Sequence, residues 1–134
     1  MYKFQTKICM HQTDAGGVVF FSNYFVLAHL CYEAWLDENI SIADIIAEKN
    51  LLMPIVHAGA DYRQSLCLSE DISIEMTPGK TTRTTFQLDY SIFNADGDIA
   101  AEITTIHACL DETKRKSTRL PEFLKEMLTV LDAE

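Results

Sequence analysis

The residues with the clearest chemical potential lie in the stretch His11–Tyr24, which reads HQTDAGGVVFFSNY. An acid, Asp14, precedes two glycines, Gly16 and Gly17, and a long helical pattern begins a few residues later. Glycine lets a ligand approach the main chain closely, and the first N–H groups of a helix have no partner inside it. A carbonyl oxygen that becomes negative during acyl transfer would be stabilised at such a helix start. Asp14 could then attack that carbonyl or activate a water.

A purely structural role for the same residues is the alternative. Asp14 could cap a turn while the two glycines only bend the chain, and Ser22 is a residue type that caps helices. Val18, Val19 and Phe20 are apolar residues that serve packing more often than substrate contact. A motif this short leaves both interpretations open.

The residues that follow predict the elements that would hold this motif. Residues 2–9 alternate apolar and polar side chains as a half-buried strand does. Asn23–Asn39 has no Gly or Pro and is apolar around most of its circumference, which predicts a long, largely buried helix. A shorter helix, capped by its first residue, is predicted over Ser41–Asn50, and extended structure over Leu51–Leu68.

The second half of the chain predicts further strands joined by turns. The strand around Ile72–Met76 is expected to end at a turn over Pro78-Gly79-Lys80, and a longer strand follows over Thr82–Phe93. Asn94–Gly97 is a hairpin signal, after which Asp98–Leu110 forms the last long strand. The expected order is one strand, then helices, then four strands in a meander.

One apolar helix and about five antiparallel strands pack economically when the sheet curls around the helix. The predicted class is therefore α+β, in a single domain spanning residues 1–134. Such packing covers only one face of the sheet. Ile103, Ile106 and Ala108 occupy both odd and even positions of one strand, so apolar groups lie on both faces of the sheet. This indicates that part of the outer surface contacts another subunit.

Composition and charge narrow the range of partners. Eleven basic and twenty acidic residues give a net charge of −9, which repels nucleic acid and anionic membranes. No stretch approaches the roughly 20 apolar residues of a membrane span, and no signal peptide is recognisable, so we expect a cytoplasmic protein. The four cysteines lack a C-x-x-C spacing and are expected to be reduced, mostly buried thiols. The histidines and cysteines show no zinc-site spacing, so no metal is expected.

The chain resembles the hotdog-fold acyl-CoA thioesterases, in the branch of the 4-hydroxybenzoyl-CoA thioesterases. The resemblance rests on the first strand, the stretch Thr13–Phe21 followed by Asn23 and Tyr24, the long helix and the later strands. The resemblance covers almost the whole chain. It implies a hotdog fold, with an antiparallel sheet wrapped around one central helix. It also implies hydrolysis of a thioester to a carboxylic acid and free coenzyme A, with no metal or other cofactor. His29 and Glu33, set in AHLCYEAWL, are similar to the pattern of the 1,4-dihydroxy-2-naphthoyl-CoA thioesterases of phylloquinone or menaquinone synthesis.

The same resemblance implies roles for individual residues. Asp14 corresponds to the catalytic carboxylate, acting as nucleophile or general base, and the backbone N–H of Phe21 corresponds to the group that holds the thioester oxygen. The family's active sites lie between two subunits, which implies a homodimer, and many members pair dimers into a homotetramer. Relatives of another branch use a glutamate on the central helix, which leaves the role of Glu33 open.

Further side chains are candidates for substrate contact. Gly17 and Val18 lie beside Asp14, and His29 and Glu33 share one stripe of the long helix. Polar groups on an otherwise buried helix need a partner, which favours substrate contact for the last two. A His-x-x-x-Glu pair that only makes an intrahelical contact is the alternative.

Basic side chains are candidates for the phosphates of coenzyme A. Arg115, Lys116 and Arg119 form the densest positive cluster, in a tail where a short helix is expected to start near Pro121, and Arg63 stands alone in an extended segment. Such side chains suit the 3′-phosphate and pyrophosphate of the coenzyme. A solvated basic tail is the alternative.

The favoured function is hydrolysis of an acyl-CoA thioester, with an aromatic acyl group preferred. A non-catalytic module that binds acyl-CoA or an acyl carrier is a rival, and Asp14 beside the helix start argues against it. A general thioesterase that removes stray acyl-CoA is a second alternative. A hotdog dehydratase would need its own histidine-containing active-site pattern, which the sequence lacks.

Overall fold

The computed structural model describes residues 1–134. Its helices are α1 (Asn23–Asn39), α2 (Ile42–Glu48) and α3 (Glu122–Ala133). Its strands are β1 (Tyr2–Lys7), β2 (Leu51–Leu52), β3 (Ile55–Tyr62), β4 (Asp71–Thr81), β5 (Thr85–Phe93), β6 (Ile99–Ala108), β7 (Leu110–Asp111) and β8 (Lys116–Ser117). A short 3-10 turn at Met10–Gln12 follows β1.

Five antiparallel strands form the main sheet in the order β1-β4-β5-β6-β3, and β2, β7 and β8 form a second, small sheet. The predicted four-strand meander is wrong for β3, which pairs with β6 and not with β4. The chain after β3 does not turn straight back, because its main chain bonds to the motif before α1: the N–H of Val19 donates to the carbonyl of Leu66 at 2.8 Å. β3 therefore forms one edge of the sheet and β1 the other.

The predicted turn over Pro78-Gly79-Lys80 is also wrong, since β4 runs through these residues and the chain reverses around Thr82–Thr84. The pairing of β4 with β5 shifts register between Pro78 and Thr81. A bulge of this kind accommodates a proline, which has no N–H to donate to the neighbouring strand. The predicted hairpin at Asn94–Gly97 is confirmed, with Gly97 at φ +86°.

The central helix α1 has the predicted bounds and packs against β1, β4 and β6. Its buried side chains, including Leu27, Cys31 and Trp35, belong to the same core as the inward-facing residues of the strands, such as Phe86 and Leu88 of β5. Truncating one of these large side chains to alanine would cost about 2–5 kcal/mol of folding free energy. The sheet and its central helix share one hydrophobic core.

A chain of polar side chains crosses this core. The hydroxyl of Tyr90 lies 3.2 Å from Oγ1 of Thr105, which lies 2.9 Å from Nε2 of His107. The His107 ring is stacked on Phe86, with 4.8 Å between ring centroids, and has Tyr32 at 4.5 Å. Its Nδ1 has no hydrogen-bond partner. Burial lowers the pKa of His107 to about 4, so the ring is neutral at pH 7.

The two shorter predicted helices, α2 and α3, are confirmed in outline. Oγ of Ser41 accepts a hydrogen bond from the N–H of Asp44 at 3.4 Å and caps α2. Pro121 directly precedes α3, which packs against β4. Part of the basic run before α3 forms β8, a short strand that the sequence did not predict and that pairs with β7.

All four cysteines are free, but only Cys31 and Cys109 are buried. Burial raises the pKa of Cys31 to about 12 and that of Cys109 to about 11. Cys9 and Cys67 are exposed, so the prediction of mostly buried thiols is wrong for half of them. No three His, Cys, Asp or Glu side chains are grouped to hold a metal ion. None of the three helices has the length and hydropathy needed to cross a membrane.

Candidate active site

Residues Thr13–Val19 form a tight hairpin held by main-chain hydrogen bonds. The N–H of Asp14 donates to the carbonyl of Val18 at 2.8 Å, and the N–H of Gly17 donates to the carbonyl of Asp14 at 3.1 Å. Gly17 has a φ of +78°, which side-chain-bearing residues rarely adopt. A glycine is therefore required at this reversal.

The carboxylate of Asp14 caps this hairpin. Its Oδ1 accepts hydrogen bonds from the N–H groups of Gly16 at 2.8 Å and Val18 at 3.4 Å. The structural role proposed as the alternative is therefore real. The side chain is nevertheless exposed, and Oδ2 has no partner within the chain. One oxygen holds the carboxylate in place while the other is free to act on a ligand.

Two main-chain N–H groups at the start of α1 are unpaired. The N–H of Asn23 donates to the carbonyl of Phe20 at 2.8 Å, whereas the N–H groups of Phe21 and Ser22 donate to no acceptor in the chain. They lie at the positive end of the α1 dipole, where a negative oxygen is stabilised. The prediction that Ser22 caps the helix with its side chain is wrong, because its backbone is already helical, with φ −70° and ψ −22°.

A buried glutamine fastens the hairpin to the helix start. The carbonyl of Gln12 accepts hydrogen bonds from Nδ2 of Asn23 at 2.9 Å and from the N–H of Phe20 at 3.1 Å. The side chain of Gln12 in turn accepts from the N–H of Cys9 at 2.8 Å. Nothing in the sequence singles out Gln12, since its partners are revealed only by the fold.

The segment after β3 forms the second wall of the site. The N–H of Leu68 donates to the carbonyl of Gly17 at 2.9 Å, and Val18 forms a bridge with Cys67. The hydroxyl of Tyr62 donates to the carbonyl of Phe21 at 3.0 Å. Gly17 and Val18, predicted to contact substrate, thus lie half-buried between Asp14 and this segment.

Large apolar side chains are exposed beside the hairpin. Phe20 is 46% and Phe21 61% exposed, and their ring centroids are 4.8 Å apart. Met10 before the hairpin and Val26 on α1 are also exposed. Exposed large apolar side chains close together, as Phe20 and Phe21 are, indicate a binding site for a ligand or another chain.

His29 and Glu33 lie on the exposed stripe of α1 and make no hydrogen bond or ion pair with each other. The ring centroid of His29 lies 5.5 Å from that of Tyr32. The intrahelical contact that was the alternative for this pair is therefore not formed. Both side chains remain available to a partner outside the chain.

The structure separates the predicted coenzyme-binding residues. Arg63 follows β3 and pairs with Glu102, with Nε of the arginine 3.1 Å from Oε2. Its N–H donates to the carbonyl of Ala100, near the start of β6. Arg63 therefore lies at the same end of the sheet as the Asp14 hairpin.

The other three basic residues lie at the far end of β6, around the hairpin of β7 and β8. Arg115 and Lys116 belong to this hairpin, and Arg119 lines a cavity of about 450 Å³ with Lys49 and Phe123. Nζ of Lys49 lies 5.7 Å from the centroid of the Phe123 ring. Within one chain, Arg63 and the tail residues do not form a common site.

Comparison with known proteins places this arrangement in a family. The thioesterase-like superfamily model matches residues 9–128. The chain belongs to the thioesterase-like superfamily. The 1,4-dihydroxy-2-naphthoyl-CoA hydrolase of Synechococcus elongatus is 31% identical to this thioesterase over 131 residues, covering 96% of each chain. That of Microcystis aeruginosa is 33% identical over 129 residues, covering 96% of this chain and 93% of the relative.

Solved structures lead to the same family. The crystal structure of a 1,4-dihydroxy-2-naphthoyl-CoA thioesterase from Synechocystis matches with a TM-score of 0.90 and 26% identity, covering 98% of this chain and 97% of the other. The predicted hotdog fold and thioester hydrolase class are thereby confirmed. The roles of Asp14, Phe21 and the binding residues remain predictions.

Proposed function

We propose that this thioesterase hydrolyses an aromatic acyl-CoA, with 1,4-dihydroxy-2-naphthoyl-CoA as the first candidate substrate. The observation that carries the proposal is that the Thr13–Val19 hairpin presents the free Oδ2 of Asp14, and that the chain leaving this hairpin presents the unpaired N–H of Phe21 two residues later. The substrate is that of the Synechococcus and Microcystis relatives. Its products are the aromatic acid and free coenzyme A.

In this mechanism the N–H of Phe21 donates to the thioester carbonyl oxygen, which becomes negative as the carbonyl carbon is attacked. A single donor of this kind contributes about 3 kcal/mol to the transition state. Asp14 either attacks the carbon, forming an acyl-aspartyl anhydride that water then cleaves, or removes a proton from an attacking water. Both routes consume one water and release the thiol of coenzyme A.

The acyl group has a fitting surface beside the hairpin. Phe20, Phe21 and Val26 offer exposed apolar contact for an aromatic ring. His29 and Glu33 are exposed on α1, and their side chains can form hydrogen bonds with hydroxyl groups on the aromatic ring of the substrate. We assign these last two residues to substrate recognition, together with the main chain of Gly17 and Val18.

A homodimer is part of the proposal, with β3 at its interface. The outer edge of β3 is unpaired, and Ile55, Val56 and Tyr62 are between 42% and 59% exposed. Antiparallel pairing of two β3 strands about a two-fold axis would set the Tyr62 end of one beside the Ile55 end of the other. Pairing of dimers into a homotetramer stays a prediction, as does the cytoplasmic location.

This dimer would bring together, from two chains, the coenzyme-binding residues that lie far apart within one chain. Ile55 pairs with His107 at the end of β6 that leads into the basic tail, whereas Tyr62 bonds to Phe21, directly after the Asp14 hairpin. Two-fold pairing would therefore bring the basic tail of one copy towards the catalytic hairpin of the other. We propose that Arg115, Lys116 and Arg119 bind the phosphates there, with Arg63 nearer the thioester.

The catalytic proposal is tested by incubating the purified protein with a panel of aromatic and aliphatic acyl-CoAs while a thiol reagent traps released coenzyme A. We expect the aromatic esters to be cleaved fastest and Asp14→Asn to lower kcat by about 10² or more, the scale of a lost acid-base or nucleophilic group. Thermal melting checks that the variant is folded. Tight binding of acyl-CoA without thiol release would instead establish a binding module, and near-normal turnover by folded Asp14→Asn would remove Asp14 from the mechanism.

The dimer is tested separately by light scattering after gel filtration. We expect a mass of twice the 15.2 kDa of one chain, or a multiple of that dimer. Val56→Asp, which puts a charge on the exposed edge, should shift the protein towards monomer and reduce turnover in parallel. A fully active monomer would exclude a site shared between two copies.

A further inference from the structure

Tyr62 joins the edge of the sheet to the start of the central helix. It is the last residue of β3, and its hydroxyl donates to the carbonyl of Phe21, a residue 41 positions earlier in the chain, at 3.0 Å. The Tyr62 ring meets the buried ring of Tyr24 edge-on, with 5.0 Å between centroids. The ring contact holds the phenol in place, so that its hydroxyl has a defined direction.

We propose that Tyr62 is a positioning residue for the oxyanion donors of this thioesterase, an inference that rests on the proposed function. Its hydroxyl holds the carbonyl of Phe21, whose own N–H and the following N–H of Ser22 are both unpaired. Fixing that carbonyl fixes the plane of the Phe21–Ser22 peptide. It also restricts the backbone dihedral angles of Phe21, and these angles determine the direction of the Phe21 N–H relative to the fixed carbonyl.

The hydrogen bond also strengthens one donor directly. A peptide group whose carbonyl accepts a hydrogen bond is polarised, and its N–H becomes a better donor. The Phe21 carbonyl and the Ser22 N–H belong to the same peptide group. Tyr62 thus acts on both unpaired N–H groups, on one through geometry and on the other through polarisation, without touching the reacting carbon.

The position of Tyr62 suits this role better than a purely structural one. Tyr62 lies outside the hydrophobic core, on the edge strand that the proposed dimer would cover, so its hydroxyl contributes little to the core of one chain. Tyr24 is the matched control residue, because it is buried and its hydroxyl donates to the carbonyl of Gln64 at 3.3 Å, not to that of Phe21. Removing each hydroxyl in turn separates positioning from stability.

The experiment compares Tyr62→Phe and Tyr24→Phe with the wild type on the acyl-CoA that is cleaved fastest. Tyr62→Phe keeps the ring contact, and we expect about a tenfold lower kcat, the effect of one lost hydrogen bond, with KM within about twofold and Tm unchanged. Tyr24→Phe should lower Tm and leave kcat unchanged. The backbone amide NMR signal of Ser22 should shift in Tyr62→Phe and not in Tyr24→Phe.

Three results would overturn the role of Tyr62. Unchanged kcat would show that the donors need no such support. A raised KM with unchanged kcat would make Tyr62 a direct substrate contact, and a fall in kcat matched by a fall in Tm would make its role structural. Wild-type protein that cleaves no thioester of the panel would defeat the proposed function together with this role, whereas active wild type with a silent Tyr62→Phe would defeat this role alone.

Discussion

Oδ1 of Asp14 accepts a hydrogen bond from the N–H of Gly16 at 2.8 Å, and a Cβ added to Gly16 would lie 3.2 Å from that same oxygen. The absence of a side chain at residue 16 and the direction of the Asp14 carboxylate are therefore linked. A methyl group at this distance is too close for ordinary contact and would push the carboxylate aside by a few tenths of an ångström.

Gly16→Ala should consequently impair turnover more than folding. A small displacement of a reacting group is costly, and we expect kcat to fall about tenfold. Stability should change little, because the φ of Gly16 is not in the positive range. The control is Gly97→Ala in the β5–β6 hairpin, where φ is +86° and alanine should cost about 1–2 kcal/mol of folding free energy with kcat unchanged. Wild-type kcat in Gly16→Ala would show that the direction of the carboxylate does not matter.

The stability of the protein should depend on His107 below pH 6.5. Its pKa is lowered by burial from 6.5 to about 4, so between these values the unfolded chain binds a proton that the folded chain does not. As far as it depends on His107, the free energy of unfolding is therefore greatest above pH 6.5. It falls as the pH drops, by about 2 kcal/mol between pH 7 and pH 5.

Urea unfolding at pH 7 and pH 5 measures this loss. His107→Gln cannot take up the proton, so the loss between the two pH values should shrink by about 2 kcal/mol, whatever its stability at pH 7. His11→Gln alters an exposed histidine and should leave the wild-type loss intact. An undiminished loss in His107→Gln would mean that His107 is not the titrating group.

The basic tail should affect binding of the nucleotide part of the substrate. Arg119→Ala is expected to raise KM for acyl-CoA about tenfold, since a hydrogen bond to a charged group contributes roughly 1.5–3 kcal/mol. Activity on a thioester of the same acid that lacks the nucleotide should not change. Lys3→Ala on β1, at the opposite edge of the sheet from β3, is the control for general charge. Equal effects on both substrates would remove Arg119 from phosphate binding.

His29 and Glu33 should affect recognition of the acyl group. Because both side chains are exposed and make no bond within the chain, His29→Ala and Glu33→Ala should leave Tm almost unchanged. We expect each to raise KM for the hydroxylated aromatic acyl-CoA several-fold, with a smaller effect on an aliphatic acyl-CoA. Glu126→Ala, an exposed acid on α3, provides the comparison. Kinetics identical to wild type on both substrates would exclude the pair from recognition of the acyl group.

The parts of the fold that the sequence predicted well are those determined by local chemistry. α1 has its predicted bounds because Asn23–Asn39 lacks Gly and Pro and is apolar on most sides. The Asn94–Gly97 hairpin follows from its turn residues. The neighbour of β3 was not predictable from alternation, because alternation identifies a strand but not its partner. Pro78 and Gly79 were misassigned to a turn, since a bulge in β4 accommodates the same residues.

The same division holds within the candidate site. Asp14 and Gly17 interact with residues a few positions away, so their hairpin could be inferred from sequence. The carbonyl of Gln12 bonds to the side chain of Asn23, 11 residues away, and the hydroxyl of Tyr62 bonds to a residue 41 positions away, and contacts between such distant positions leave no local sequence signal. The distance between Arg63 and the tail basic residues likewise depends on the path of β6, which lies between them.

The exposed edge of β3 has a consequence for the newly made chain. Edge strands are normally protected by lysine, proline or a covering loop, yet the eight residues of β3 contain a single charged side chain, Asp61. Until that edge is occupied, the polypeptide carries a ready template for indiscriminate strand addition. The yield of soluble protein in a recombinant host should therefore depend on how quickly two chains dimerise. Val56→Lys would reduce aggregation through this edge but would also weaken the proposed dimer.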